Sequence, residues 1–164
     1  MNENIDLNKL PSDVKKEFMK YALKLKEKKT KSKVHDDFLT FAKHVWPEFI
    51  EGKHHKIIAE KFNRLAKGEI KRLIINMPPR HTKSEFASNL LPAWMIGRKP
   101  NLKIIQTTHT TELAVRFGRK AKTLIDSPEY QQVFQTRLRE DSQAAGKWET
   151  EQGGEYYAAG VGSA

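Results

Sequence analysis

Two short apolar runs, each followed by a helical pattern, constrain the fold of this chain most. The first run covers residues 72–76 (RLIIN) and lacks polar alternation, which is typical of a strand covered on both faces. The second run covers residues 102–108 (LKIIQTT). Helical spacing of apolar residues follows them over residues 83–96 and 111–126. The order strand, helix, strand, helix predicts an α/β domain whose parallel sheet is flanked by helices.

A lysine-rich helix is predicted near the N-terminus, over residues 12–29, with Ser12 as its N-cap. Its apolar residues form a narrow stripe at helical spacing: Val14, Phe18, Tyr21 and Leu25. The run 24–33 is rich in lysine, which fits a solvated linker or, alternatively, an arm that contacts phosphates. We assign residues 1–34 to a helical N-terminal extension and residues 35–164 to the domain that follows.

Two shorter amphipathic helices are predicted between this extension and the first strand. One begins at Asp36 and Asp37, whose carboxylates favour the positive end of the helix dipole, and it ends before Pro47. The other begins near His54 and ends at Gly68, a residue suited to the left-handed conformation that follows many helices.

Proline and glycine mark two further features. Pro92 lies inside the helical run 83–96 and predicts a kink there. Gly153 and Gly154 separate two runs that have the composition of strands, which predicts a hairpin close to the end of the sequence.

The charge balance favours a polyanionic partner. The 164 residues include 30 Lys and Arg against 20 Asp and Glu, a formal net charge of +10 at pH 7. DNA, RNA and nucleotide phosphates are the partners that such a balance favours. No apolar stretch approaches the roughly 20 residues that span a bilayer, and the first residues lack the features of a secretory signal. We therefore expect a protein of the cytoplasm with no membrane association. The sequence has no cysteine, which excludes disulfides and thiolate metal sites.

The turn between the first predicted strand and its helix contains the main candidate site. Its residues, MPPRHTKSE over 77–85, align with the phosphate-binding pattern G-x-x-x-x-G-K-[S/T]. Lys83 and Ser84 occupy the last two positions of this pattern. Met77 and Thr82 stand where the pattern has glycine.

Phosphate binding is the chemistry that this turn predicts. A strand-to-helix turn directs unpaired backbone N–H groups and the positive end of a helix dipole at one point. In this alignment Lys83 reaches the β- and γ-phosphates and the Ser84 hydroxyl ligates Mg²⁺. Arg80 and His81 add further donors. The alternative is that Lys83 and Ser84 are ordinary first-turn residues of an exposed helix.

The run from residue 72 to residue 88 resembles the deviant Walker A region of the large terminase subunit of tailed bacteriophages, a family of DNA-packaging motors. Other segments match this family in the same order, and the resemblance as a whole spans roughly residues 36–164. These segments are residues 54–58, 91–98, 113–114, 117–119, 153–156 and 160–162.

The resemblance implies an incomplete P-loop NTPase domain of the ASCE type, preceded by the helical extension. It implies ATP and Mg²⁺ as cofactors, Lys83 and Arg80 as catalytic residues, and Ser84 as the metal ligand. The adenine-contacting motif of the family falls at His54 and His55. The nucleotide-binding residues implied are Pro79, Arg80, His81, Thr82, Lys83, Ser84 and His55.

For the whole protein, the resemblance implies an ATP-driven motor and endonuclease that packages double-stranded DNA into procapsids in the host cytoplasm. Its expected partners are the portal protein and a small terminase subunit, and its expected assembly is a homo-oligomeric ring. The Walker B acids, the coupling motif and the nuclease domain have no counterpart in these 164 residues. We therefore expect an N-terminal fragment with weak or no ATP turnover.

Two other functions fit the same residues. One is a helicase-like P-loop ATPase that acts on nucleic acid, which would share the loop and the basic charge. The other is a truncated basic module that binds polyanions without catalysis.

Overall fold

The computed structural model describes residues 11–162, and most of its helices lie before the first strand. The first ten residues of the predicted extension and the last two of the predicted domain lie outside this range. The helices are α1 (Ser12–Asp36), α2 (Phe38–Val45), α3 (Lys53–Ala66), a π-helical turn (Glu85–Leu90), α4 (Leu91–Arg98), α5 (Thr111–Ile125) and the short α6 (Pro128–Gln131).

The predicted helices are confirmed, but α1 differs from its prediction at both ends and includes the lysine-rich run 24–33 up to Asp36. Helix α1 is longer than predicted, and its N-cap is Pro11 rather than Ser12, with no side-chain cap bond. Asp37 caps α2, because its Oδ1 accepts the N–H of Thr40 at 2.8 Å. Gly68 follows α3 with a φ of 78°, the left-handed conformation expected after a helix.

The helix that contains Pro92 continues without a break from residue 83 to residue 98. The distortion expected at Pro92 lies just before it, as the π-helical turn Glu85–Leu90. Proline has no N–H to donate to the carbonyl one turn earlier, and the wider π-helical turn accommodates such a residue.

The sheet has four strands, and its pairing differs from the prediction. Its strands are β1 (Lys103–Thr108), β2 (Leu138–Ala144), β3 (Lys147–Thr150) and β4 (Glu155–Gly160), in the order β1-β4-β3-β2. Strands β1 and β4 are parallel, whereas β4 with β3 and β3 with β2 are antiparallel. The predicted hairpin is confirmed as β3 and β4. Strands β3 and β2 lie on the side of β4 opposite to β1, and both of their pairings are antiparallel. The sheet is therefore mixed and mostly antiparallel, and the prediction of a parallel sheet is wrong.

The first predicted strand is not part of this sheet. Within residues 11–162, no strand pairs with residues 72–76. Leu73 and Ile75 pack against the core, whereas the side chain of Ile74 is 86% exposed. The β-branched residues favour an extended backbone, but a strand also needs a neighbour that bonds to its N–H and C=O groups. The α/β class is therefore confirmed, and the strand order of a P-loop domain is not seen.

An aromatic cluster forms the centre of the helical layer. The Phe38 ring meets the rings of Phe62, Phe86 and Trp94 edge-on, at centroid distances of 4.9, 5.3 and 5.4 Å. Phe86 belongs to the π-helical turn, so this cluster fixes the helix that follows the candidate loop.

One face of the sheet packs against α5. Trp148 and Tyr156 stack at a centroid distance of 4.7 Å, and the Trp148 indole donates to the carbonyl oxygen of Gly118 at 3.2 Å. A Cβ on Gly118 would lie 2.6 Å from the backbone oxygen of Ala145, so this approach requires glycine. None of the helices in residues 11–162 is long and apolar enough to cross a membrane.

Candidate functional site

The candidate site is the loop of residues 79–84, which runs into a helix at Lys83. Two residues of this loop that are not glycine have a positive φ, Arg80 at 64° and Thr82 at 60°. Such a conformation costs about 1–2 kcal/mol per residue and persists only where the surroundings enforce it. Thr82 adopts it at the position where the phosphate-binding pattern has its second glycine.

Contacts with α3 hold Thr82 in this conformation. His55, on the first turn of α3, is only 5% exposed, and its Nε2 lies 2.6 Å from the Thr82 hydroxyl. The Thr82 hydroxyl also lies 2.6 Å from the carbonyl oxygen of His81. The side chain of Thr82 therefore points at α3 and at its own loop.

The protonation of His55 follows from its partners. The N–H of Gly52 donates to the Nδ1 of His55 at 2.8 Å, so Nδ1 has no proton. The neutral ring then has its proton on Nε2 and donates to Thr82, whose hydroxyl donates to His81. Burial lowers the pKa of His55, and the nearby His54 lowers it further. We name this chain of bonds from Gly52 to His81 the His55 relay.

Three groups of the loop face solvent without a partner. Arg80, Lys83 and Ser84 are exposed, and within residues 11–162 none of their side chains forms a hydrogen bond or an ion pair. The first backbone N–H groups of a helix also have no partner within the helix. Two cations and a hydroxyl are thus among the residues 78–85 that line a cavity of about 210 Å³.

The neighbouring charges favour an anion at this site. Glu85, the nearest acid in sequence, is paired with Lys120 at 3.1 Å. Within residues 11–162, no group of three His, Cys, Asp or Glu side chains is placed to hold a metal ion. The exposed donors of the loop, Arg80, Lys83 and Ser84, fit phosphate oxygens.

The remaining predicted site residues lie around the loop. His81 Nδ1 donates to the carbonyl oxygen of Pro79 at 2.9 Å, which closes the turn on itself. The ring of His54 lies between His55 and His81, at centroid distances of 3.8 and 5.7 Å. Residues Pro79 to Ser84 line one cavity, while His55 lies behind the loop and supports it. No local pattern indicates the bond between His55 and Thr82, which are 27 residues apart.

We expect the stability of the protein to fall as the pH drops below about 6.5, the ordinary pKa of histidine. The pKa of His55 is lowered in the folded state, so the unfolded state binds a proton more readily. The stability that neutral His55 contributes is then complete above the unfolded pKa and is lost as the pH falls from there through the lower, folded pKa. Urea unfolding of the wild type and of His55→Gln, at several pH values, measures this loss. Glutamine does not titrate, so the variant should lose less stability on acidification, and equal losses would contradict the expectation.

No family model matches this chain, and neither a curated protein nor a solved structure matches it. What the chain does must therefore be inferred from the chemistry of residues 79–84 and from the sequence resemblance.

Proposed function

We propose that this chain binds the phosphates of ATP at residues 79–84 and is the nucleotide-binding part of a terminase-like DNA-packaging ATPase. One observation carries the proposal: the exposed and unpaired Arg80, Lys83 and Ser84 line one cavity at the start of a helix, next to Thr82 in a glycine-like conformation. Anions bind at helix starts because free N–H groups and the helix dipole act there together.

Each side chain of the loop has a distinct part in this proposal. Lys83 and Arg80 neutralise the negative charge of the phosphates, and the Ser84 hydroxyl holds Mg²⁺. The magnesium ion supplies further charge neutralisation when it is bound. The His55 relay keeps Thr82 turned towards α3, so that its side chain stays clear of the phosphate side of the loop.

The larger activity follows the sequence resemblance. We propose that the whole protein moves double-stranded DNA into a procapsid as a ring, with the portal protein and a small terminase subunit as partners, in the host cytoplasm. The net charge of +10 supports a polyanionic partner. The loop donors Arg80, Lys83 and Ser84 do not include a base that could activate water. We therefore expect this chain alone to bind ATP with weak or no turnover.

Calorimetric titration of the chain with Mg·ATP, Mg·ADP and adenosine tests the proposal. We expect saturable binding of ATP and ADP and much weaker binding of adenosine, because the recognised groups are phosphates. A chain that binds DNA with a steep salt dependence and ignores ATP would overturn it in favour of the polyanion-binding module. A helicase-like ATPase shares the nucleotide site, so ATP binding alone does not separate it from a terminase.

The coding sequence beyond residue 164 separates the two enzymes. A terminase continues into an apolar strand that ends in adjacent acids and later into a nuclease domain rich in carboxylates. A continuation with a helicase-type Walker B sequence would favour the helicase-like ATPase instead.

A further inference from the structure

Helix α1 extends away from the rest of the protein. Its C-terminal end is anchored, because Val34 is buried and the Trp94 indole donates to the carbonyl oxygen of His35 at 3.1 Å. By contrast, every residue from 11 to 33 is exposed. At 1.5 Å per residue the helix is about 37 Å long, so most of its surface is open to a partner.

Four of the exposed apolar residues of α1 form one straight seam, which we name the α1 seam. It consists of Val14, Phe18, Tyr21 and Leu25, whose side chains are 41–63% exposed. Their spacing of four, three and four residues is that of the a and d positions of a coiled coil.

The α1 seam faces away from the protein. The side of α1 that faces the other helices includes Leu23, Thr30 and Val34, which line a cavity together with Val133. At 3.6 residues per turn, this side lies about 180° from the seam. The seam therefore has no role in attaching α1 to the fold.

Lysines border the α1 seam. The flanking positions of the same heptads include Lys15, Lys24 and Lys29 against one acid, Glu17, and the next position in the seam itself is Lys28. Flanking charges of a coiled coil select a partner of the opposite sign.

We propose that the α1 seam docks an acidic amphipathic helix of a partner protein, whose Asp or Glu side chains face these lysines. A second copy of this chain fits poorly, because a parallel pair would bring Lys24 of one copy next to Lys29 of the other. A lipid surface also fits poorly, because a helix that lies on a membrane buries a broad apolar face, whereas the α1 seam is a narrow stripe. The proposal does not depend on nucleotide binding at residues 79–84.

A synthetic peptide of three heptads tests this proposal, with Leu at its a and d positions and Glu at its flanking positions. We expect fluorescence anisotropy to show that the full chain binds this peptide. We expect the affinity to fall at least about tenfold in the double variant Phe18→Gln and Leu25→Gln, which loses two apolar contacts. The matched control is Met19→Gln with Leu23→Gln, which removes two apolar residues that lie off the seam and are more exposed than Phe18 and Leu25. It should change the affinity by less than about threefold.

Three results would overturn the proposal. The first is equal binding of a peptide with the same composition in scrambled order, which would show attraction to any polyanion. The second is self-association of the chain that the seam variant abolishes, which would assign the seam to a second copy. The third is binding to vesicles of phosphatidylcholine and phosphatidylglycerol, lost in the seam variant, without binding of the peptide. Circular dichroism checks that α1 stays helical in each variant.

Discussion

Replacing Lys83 by alanine should lower the affinity of the chain for Mg·ATP about 100-fold. A charge-assisted bond to phosphate contributes about 1.5–3 kcal/mol, and every 1.4 kcal/mol is a factor of ten in affinity. Lys83 has no ion pair within residues 11–162 that its removal would break. It is also exposed, so the substitution should leave the fold intact. Calorimetric titration of both proteins under the same conditions measures the difference.

Lys99 offers a matched control for this variant. It lies at the other end of the same helical stretch, about 24 Å away along the axis at 1.5 Å per residue, and it is also exposed. Lys99→Ala removes the same unit of charge from the protein as a whole. We expect it to change ATP affinity less than about twofold. Similar losses in the two variants would mean that ATP responds to overall charge, and the loop would no longer be its site.

The helices could be predicted from the sequence because their signals are local. The amphipathic spacing of α2, α3 and α5 is visible within each segment, and so is the acidic residue Asp37 that begins α2. The hairpin of β3 and β4 is likewise encoded in the glycines between its strands, since Gly153 has a φ of 83°.

The sheet could not be predicted in the same way because strand pairing is a long-range property. Residues 72–76 and 103–108 have nearly the same composition, yet only the second run has a neighbour, β4, some fifty residues later. Neither run contains information about which backbone will lie beside it. The prediction of a parallel sheet assumed that successive runs pair through crossovers, and the β2 and β3 strands then occupied the other side of β4.

The candidate site likewise has a local part, which could be predicted from the sequence, and a long-range part, which could not. Arg80, Lys83 and Ser84 could be found from the sequence because the phosphate-binding pattern is contiguous. The His55 relay could not, because it joins the start of α3 to the loop through a contact that exists only in the fold. It also shows how a threonine replaces glycine at this position: the hydroxyl of Thr82 gains two hydrogen bonds that offset part of the cost of a positive φ.

The largest loss of stability should come from Trp94→Ala, at about 3–5 kcal/mol, out of the roughly 5–15 kcal/mol that stabilise a typical domain. The indole is fully buried and packs against Phe38 at a centroid distance of 5.4 Å. Its removal leaves a cavity at the centre of the helical layer and also deletes the bond to His35. Urea unfolding followed by circular dichroism measures the change in the free energy of unfolding.

Two further variants separate the contributions of Trp94. Trp46→Ala removes a tryptophan that is only half-buried, so it should lower the free energy of unfolding by less than half as much as Trp94→Ala. Equal losses would contradict the central position of Trp94.

Trp94→Phe keeps most of the packing but loses the indole N–H, so its cost of about 1 kcal/mol reports on the bond to His35. Because that bond holds the end of α1, this variant should loosen the attachment of α1 while the α1 seam keeps all of its residues. Faster hydrogen exchange confined to residues near Val34 would show this loosening, whereas unchanged exchange there would mean that burial of Val34 alone anchors the helix.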